Sequence, residues 1–272
     1  MSFDWDDYIN RKNTCSLHSI CLSDDPSDIL HYQNINNITV IRDDLLCGGT
    51  KSRYLDKILP LNYDNYIYVT SFYGGLQIAL PLALQKLNSQ YPDRHRQAII
   101  INYHTLNGIL PAYPKIAQSL GAKIISIPVY NWKDLESFAI QYQNTHPNTY
   151  ILPNGMDNPK AHNQIKLIGQ KVLDLLGPFD QVWSVAGSGS LTRGLQASNL
   201  GNEYYAVSVT DNIPDIGEAK EIKHNQRFDE KVPIEYEPPF PSASHYDAKG
   251  WKYALESAKL NPEKRILYWN VL

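Results

Sequence analysis

The chain has 272 residues, 43% apolar and 19% charged, a composition that can bury a sizeable core and form one large domain or two modest ones. A formal net charge of -3 carries no basic footprint for nucleic acid, no apolar run reaches the length of a membrane span, and the acidic start at Asp4, Asp6 and Asp7 is unlike a basic signal peptide, so a cytoplasmic protein is expected. Three cysteines, Cys15, Cys21 and Cys47, form neither a disulfide framework nor a close metal-ligand pair, which also suits a reducing compartment.

The first forty or so residues are of mixed character, with a helix start expected at Ser23-Asp24-Asp25-Pro26. A β-branched strand at Val40-Ile41 then passes through Arg42-Asp43-Asp44 and the pair Gly48-Gly49 to Lys51. That lysine opens a predicted helix with Leu55, Ile58 and Leu59 on its apolar face. Strands follow at 66–70, 97–103, 123–128, 149–152, 181–186 and 204–209. Between them lie helices at 76–87 despite Pro81, 112–120 ended by Gly121, 133–142, 163–176 stopped by Gly177-Pro178, and from 192. Residues 232–244 hold four prolines among aromatics and acids and read as an ordered surface loop. A helix over 246–260 and a strand over 265–271 complete the pattern. The strand–helix rhythm predicts an α/β fold of mostly parallel sheets with helices on both faces.

Three turns in this pattern share one property. Gly48-Gly49, Tyr73-Gly74-Gly75 and Gly187-Ser188-Gly189-Ser190 each lie between a strand and the start of a helix, where amides can face outward and helix termini add positive potential. Ligand sites in open α/β sheets form at that edge. Each turn is also what simple chain geometry requires, and Lys51 is also what a solvated first-turn residue looks like. A lysine near the positive end of a helix dipole has its ammonium disfavoured, which favours an amine able to attack an aldehyde. A reactive amine with several anion cradles suits pyridoxal phosphate, which needs a lysine, a phosphate nest and a place for a substrate carboxylate.

The stretch Ile41-Arg42-Asp43-Asp44 through Gly48-Gly49-Thr50-Lys51-Ser52-Arg53 resembles a motif of the fold-type II pyridoxal-phosphate enzymes, the tryptophan synthase beta-like family. Within it the sequence is most similar to the group of 1-aminocyclopropane-1-carboxylate deaminase and D-cysteine desulfhydrase. Ala186 to Leu195 resembles the family's phosphate loop, Leu152 to Pro159 its proline, glycine, asparagine-proline loop, Thr70 to Leu80 its carboxylate loop, and Ile266 to Asn270 its closing strand. The resemblance implies a two-lobed architecture, with a large cofactor domain of 1–65 and 145–272 and a smaller α/β domain of 66–144 inserted in it. It also implies a homodimer. Lys51 would be the Schiff-base residue. Gly187, Ser188, Gly189, Ser190, Thr192 and Asn270 would hold the cofactor, and Ser71, Tyr73, Gly74, Gly75 and Gln77 the substrate. A C-terminal tyrosine, Tyr246 or else Tyr268, would act as acid or base, although aromatic packing is the alternative for both.

The sequence also departs from the family. Ile78, Ala79 and Leu80 stand where it has serine, asparagine and histidine, Ser190 and Leu191 replace glycine and threonine, and Asn270 is the polar side chain left to approach the pyridine nitrogen. A pocket lined by Ile78 to Leu80 would desolvate its contents and suit a less polar substrate. Cys47 beside its glycine turn could be a reactive thiol or a small buried hydrophobe. His104 suits a loop hydrogen-bonder, Asp43-Asp44 suggests one structural partner for Arg42 or Arg53, no residue set shows metal-site spacing, and 220–231 reads as solvated surface. Three functions are compatible with these residues. One is a lyase or deaminase acting on a small amino acid or amine. Another is decarboxylation or elimination on an amino group carried by a larger molecule such as a modified nucleotide. The third is a degenerate homologue that binds a phosphorylated ligand.

Overall fold

A computed structural model describes residues 17–21, 29–105, 108–129, 131–210, 215–225 and 227–272. Cys15 and the helix start expected at 23–26 lie outside them. In chain order the elements are strands β1 (Leu17–Cys21), β2 (Ile29–Ile35) and β3 (Ile38–Arg42), helix α1 (Leu55–Ile58), strand β4 (Asn65–Val69), helix α2 (Leu76–Gln90), strand β5 (Gln97–Tyr103), helix α3 (Ala112–Ser119), strand β6 (Lys123–Ile127), helix α4 (Trp132–Thr145) and strand β7 (Thr149–Ile151). They continue as helix α5 (Pro159–Leu176), strand β8 (Phe179–Ala186), helix α6 (Ser190–Ala197), strands β9 (Gly201–Ser208) and β10 (Lys220–Lys223), helix α7 (Ala248–Leu260) and strand β11 (Ile266–Asn270). Short 3-10 turns occur at Asp43–Leu45, Gly49–Arg53, Asn154–Met156 and Ile234–Tyr236.

The chain divides into two compact units, the larger comprising the described residues of Met1–Thr50 and Asp157–Leu272, the smaller Lys51–Met156. These boundaries differ from the expected 65 and 145 because both flanks pair within the smaller unit. Strand β7 joins β4 in parallel, Thr149 beside Asn65, and Asp56 of α1 takes an ion pair from Lys86 of α2 at 2.8 Å.

In the larger unit the strand order is β1-β2-β3-β11-β8-β9-β10. The first three strands run antiparallel as hairpins, and the rest are parallel. The β2–β3 hairpin turns on Asn36, whose φ of 55° lies in the left-handed region that asparagine tolerates better than most residues. Neither β2 nor β10 is foreseen by the strand–helix rhythm. β2 lacks a clean period, and β10 is a short, charged edge strand within the stretch expected to be solvated surface. On one face of this sheet Val40, Trp183, Val185, Val207, Trp251 and Tyr268 form the core beneath α7. The proline-rich 232–244 segment is a loop as expected, but it also enters this core through the fully buried Phe240.

The smaller unit is a wholly parallel sheet in the order β6-β5-β4-β7, its centre the apolar runs Tyr66–Val69 and Ala98–Ile101. Helix α2 retains Pro81 inside it and buries Leu76, Ile78, Ala79, Leu80, Leu84 and Leu87. Each such large apolar side chain contributes roughly 1.5–3 kcal/mol when fully buried.

Candidate active site

In the larger unit the turn from β8 to α6 follows from three small residues. Gly189 has a φ of +79°, and a Cβ there would overlap the backbone carbonyl oxygen of Asp215. Gly187 lies against the Tyr246 ring, 3.4 Å from where its Cβ would stand, and its N–H donates to the Tyr246 hydroxyl at 2.9 Å. That hydroxyl donates in turn to the Val185 carbonyl at 3.0 Å. The Ser188 Oγ accepts from the Ser190 N–H at 3.4 Å. Ser190, first residue of α6, is only 4% exposed, and its hydroxyl has no hydrogen-bond partner. Thr192, expected as a cofactor ligand, has its hydroxyl 2.8 Å from that of Ser184 and fastens α6 to β8. The first N–H groups of an α-helix have no partners within the helix, so an orphaned buried hydroxyl among them forms a donor cluster for an anion.

Beside this turn, β3 and β11 carry a buried polar network. Arg42 grips Asp44 with Nε and Nη2, both at 2.8 Å, donates to Gln33, and sits 5.3 Å from the Phe240 ring centroid. Burial pushes the Asp44 carboxyl above its ordinary value, against the lowering pull of the Arg42 guanidinium and the Asn270 amide. The acidic pair thus supplies the structural partner of Arg42, from a 3-10 turn rather than a strand. Asn270 donates to Asp44 at 2.7 Å and to the Pro241 carbonyl at 2.9 Å, and accepts from Ser242 at 2.6 Å, so both ends of its amide are engaged.

Trp269 donates to both Asp43, at 3.0 Å, and Thr50, at 3.1 Å, and the Thr50 N–H donates to the Val271 carbonyl at 3.1 Å. Gly49, at a φ of +69°, leaves no room for a Cβ against that carbonyl. Lys51 follows this tether inside the Gly49–Arg53 3-10 turn, half-buried. The helix expected to open at Lys51 begins only at Leu55 and has four residues, because the tight Gly49-Thr50 attachment precedes it. Leu55, Ile58 and Leu59 are buried as expected. Cys47 is exposed rather than buried, and the desolvation it does feel raises its thiol pKa, the wrong direction for a reactive thiolate.

In the smaller unit the loop after β4 carries Ser71, Tyr73, Gly74, Gly75 and Gln77. A Cβ on Gly74 would overlap the Thr70 hydroxyl, whereas Gly75 has an ordinary helical φ of -66°. The Ser71 hydroxyl accepts from the Tyr73 N–H at 3.5 Å. Gln77 is fully buried and turned onto its own loop, donating to the carbonyls of Gly74 at 2.8 Å and Phe72 at 3.2 Å. Ile78, Ala79 and Leu80 are buried within α2. His104 is exposed, its backbone N–H on the Ile127 carbonyl at 2.9 Å.

The two candidate tyrosines differ. Tyr246 is half-buried and clamps the β8–α6 turn. Tyr268 is fully buried in the core, its hydroxyl donating to the Asp247 carbonyl, and burial first, then Asp247, holds its pKa well above the ordinary value. Its surroundings are those of a packing residue.

Two features escaped the sequence reading. Ser208, at the end of β9, is 5% exposed with a hydroxyl that lacks a partner. Its position at the carboxyl edge of a predicted strand was the available signal. Lys249 is fully buried, donates to the Arg227 carbonyl at 2.5 Å, and is brought down to about 8 by desolvation. Among the described residues no group of histidines, cysteines and carboxylates could hold a metal ion, and no helix is long and apolar enough to cross a membrane.

No family model matches the sequence, and no curated protein is detectably similar to it. Solved structures are similar in fold. An ACC deaminase homologue superposes with a TM-score of 0.70 at 14% identity, covering 86% of this chain and 83% of its own. An O-acetylserine-dependent cystathionine beta-synthase from Helicobacter pylori gives 0.63 at 15% identity, over 100% of this chain and 96% of its own. The processed form of threonine deaminase isoform 2 from Solanum lycopersicum gives 0.64 at 13% identity, over 86% and 78%. The fold is that of the fold-type II pyridoxal-phosphate enzymes, which the motifs at Lys51 and Gly187–Ser190 had indicated.

Proposed function

We propose that the chain is a pyridoxal-phosphate-dependent lyase or deaminase acting on a small amino acid or amine. The observation that carries this reading is the Ser190 hydroxyl, buried and without a partner at the first residue of α6, directly after a left-handed glycine that no other residue could replace without a clash. Within this fold, that donor cluster suits a phosphate monoester. Bound pyridoxal phosphate would supply an aldehyde and an electron sink for bonds at the substrate carbon bearing the amine.

The remaining roles belong to the chain's own residues. Lys51 Nζ would be the amine that holds the cofactor, and as a free amine it would move the proton at the substrate Cα. The Ser188 and Gly189 amides and the Ser188 and Ser190 hydroxyls bind phosphate, while the Gly187 N–H is held by Tyr246. Ser71 Oγ and the Gly74-Gly75 amides take the substrate carboxylate. The Gln77 Nε2 is held by the loop carbonyls and orients that loop, which leaves its buried Oε1, without a partner, as the end able to accept from a substrate. Tyr246 keeps the phosphate turn in shape, since its only proton is already donated to Val185.

The test is the visible absorption spectrum of the purified chain after addition of pyridoxal phosphate. A new visible band that Lys51→Ala abolishes is expected, and a chain that stays colourless sinks the reading. Ammonia, sulfide or carbon dioxide release from a panel of amino acids then separates deamination, desulfhydration and decarboxylation.

A further inference from the structure

We propose that the Ser208 hydroxyl is a further anion ligand at the β8–α6 turn, donating to a phosphate oxygen together with Ser190; this rests on the pyridoxal-phosphate reading above. Parallel register sets Ser208 beside Ala186, the last residue of β8, so the two side chains leave the sheet on the same face. That face is the one α6 covers. Ala186 and Ala206 cluster there with Ile216, and Ser184, two residues before Ala186, reaches Thr192 on α6. Val207 and Val209 alternate to the opposite face and join the core that holds Trp251 and Tyr268.

Two hydroxyls, on residues 4% and 5% exposed and both without partners, therefore stand on one face at one edge of the sheet, on either side of Gly187 to Gly189. The one carboxylate of the adjoining 215–217 segment is already paired: Asp215 accepts from Arg193 at 2.6 Å and from the Gly217 N–H at 3.1 Å. A buried hydroxyl without a partner destabilises the fold that carries it, and a tetrahedral anion offers several strong acceptors at once. An apolar ligand offers these hydroxyls nothing, and a cation would use only their oxygens and leave both protons without an acceptor. Ser208 lies outside the contiguous 186–195 segment, so it adds a second chain segment to the site.

The test compares the full-length chain with Ser208→Ala in titrations with pyridoxal phosphate, with pyridoxal, which has the same ring and aldehyde but no phosphate, and with inorganic phosphate. Ser208→Ala is expected to bind pyridoxal phosphate about tenfold more weakly, the range of one hydrogen bond to a charged group, and pyridoxal as the wild type does. Its melting temperature without ligand is expected to equal or exceed that of the wild type, because an unsatisfied hydroxyl is removed. Equal pyridoxal phosphate affinity in both proteins overturns the assignment. So does a lowered melting temperature with both aldehydes weakened alike, which marks a packing role. A wild type that takes up neither aldehyde instead removes the functional reading. Inorganic phosphate then decides Ser208 alone: a melting-temperature rise that Ser208→Ala loses sustains the anion site, and no rise in the wild type overturns it.

Discussion

Tyr246 shows how much a residue's role depends on what its polar atom already touches. Its hydroxyl accepts from Gly187 and donates to Val185, which makes it a clamp on the β8–α6 turn. Tyr246→Phe should leave a half-buried N–H and carbonyl without this partner, costing about 1–3 kcal/mol in denaturant unfolding, and should weaken pyridoxal phosphate binding several-fold. A phenylalanine variant as stable as wild type that retains cofactor but loses turnover would instead make the tyrosine the acid or base. The same logic applies to Asn270, whose amide is engaged at both ends, and only to the donating end of Gln77, whose buried Oε1 has no partner. Their amides were legible in the sequence as polar groups near a site, but the direction of each depended on carbonyls and carboxylates delivered from elsewhere in the chain. The position of Ser190 was legible because Gly187-Ser188-Gly189 and a helix start mark it.

Elements were predicted best where apolar periodicity and breakers agree. Gln97–Tyr103 was read at both ends, and Gly177 stops α5 with its φ of +74°. Helix α5 starts at Pro159, four residues before the expected 163, because Asn158-Pro159 is a cap followed by an N1 proline. The Asn158 side chain accepts from the Ala161 N–H at 2.9 Å. Asn158→Ala should therefore cost about 1 kcal/mol, while Asn158→Asp should cost little, as read by chemical denaturation. An alanine variant indistinguishable from wild type would show that tertiary packing alone fixes this end. The helix expected at Lys51 is the opposite case: its apolar face is real, but the anchoring of Gly49-Thr50 to Val271 leaves the lysine in a 3-10 turn.

At the scale of the molecule, β11 lies between β3 and β8, so the last strand of the chain is inserted between an early strand and a late one. Nearby, Glu203 of β9 joins Lys220 of β10 at 2.8 Å to Lys264, just before β11, at 3.4 Å. The hydrogen bond from Lys220, with Tyr205 and both lysine charges assisting, holds Glu203 down to about 2 from an ordinary 4.5. A carboxyl depressed in the folded state stabilises above its unfolded pKa and loses that contribution as pH falls through the folded one. Melting temperature should thus decline between pH 4.5 and about 2 more steeply in wild type than in Glu203→Gln, with the difference reduced by salt because the pair is partly exposed. Identical acid limbs would mean that the pair contributes nothing.

The sequence by itself determined the alternation of strands and helices, the glycine turns at their junctions and the lysine after the first of them. Those features depend on neighbours within a few residues, through side-chain period and backbone conformation. The tertiary structure alone decided which hydroxyls are buried without partners, which tyrosine clamps a turn and which fills the core, and that Ser208 stands beside Ala186. Such relations are set by the register of strands far apart in the chain, and no local pattern carries that register.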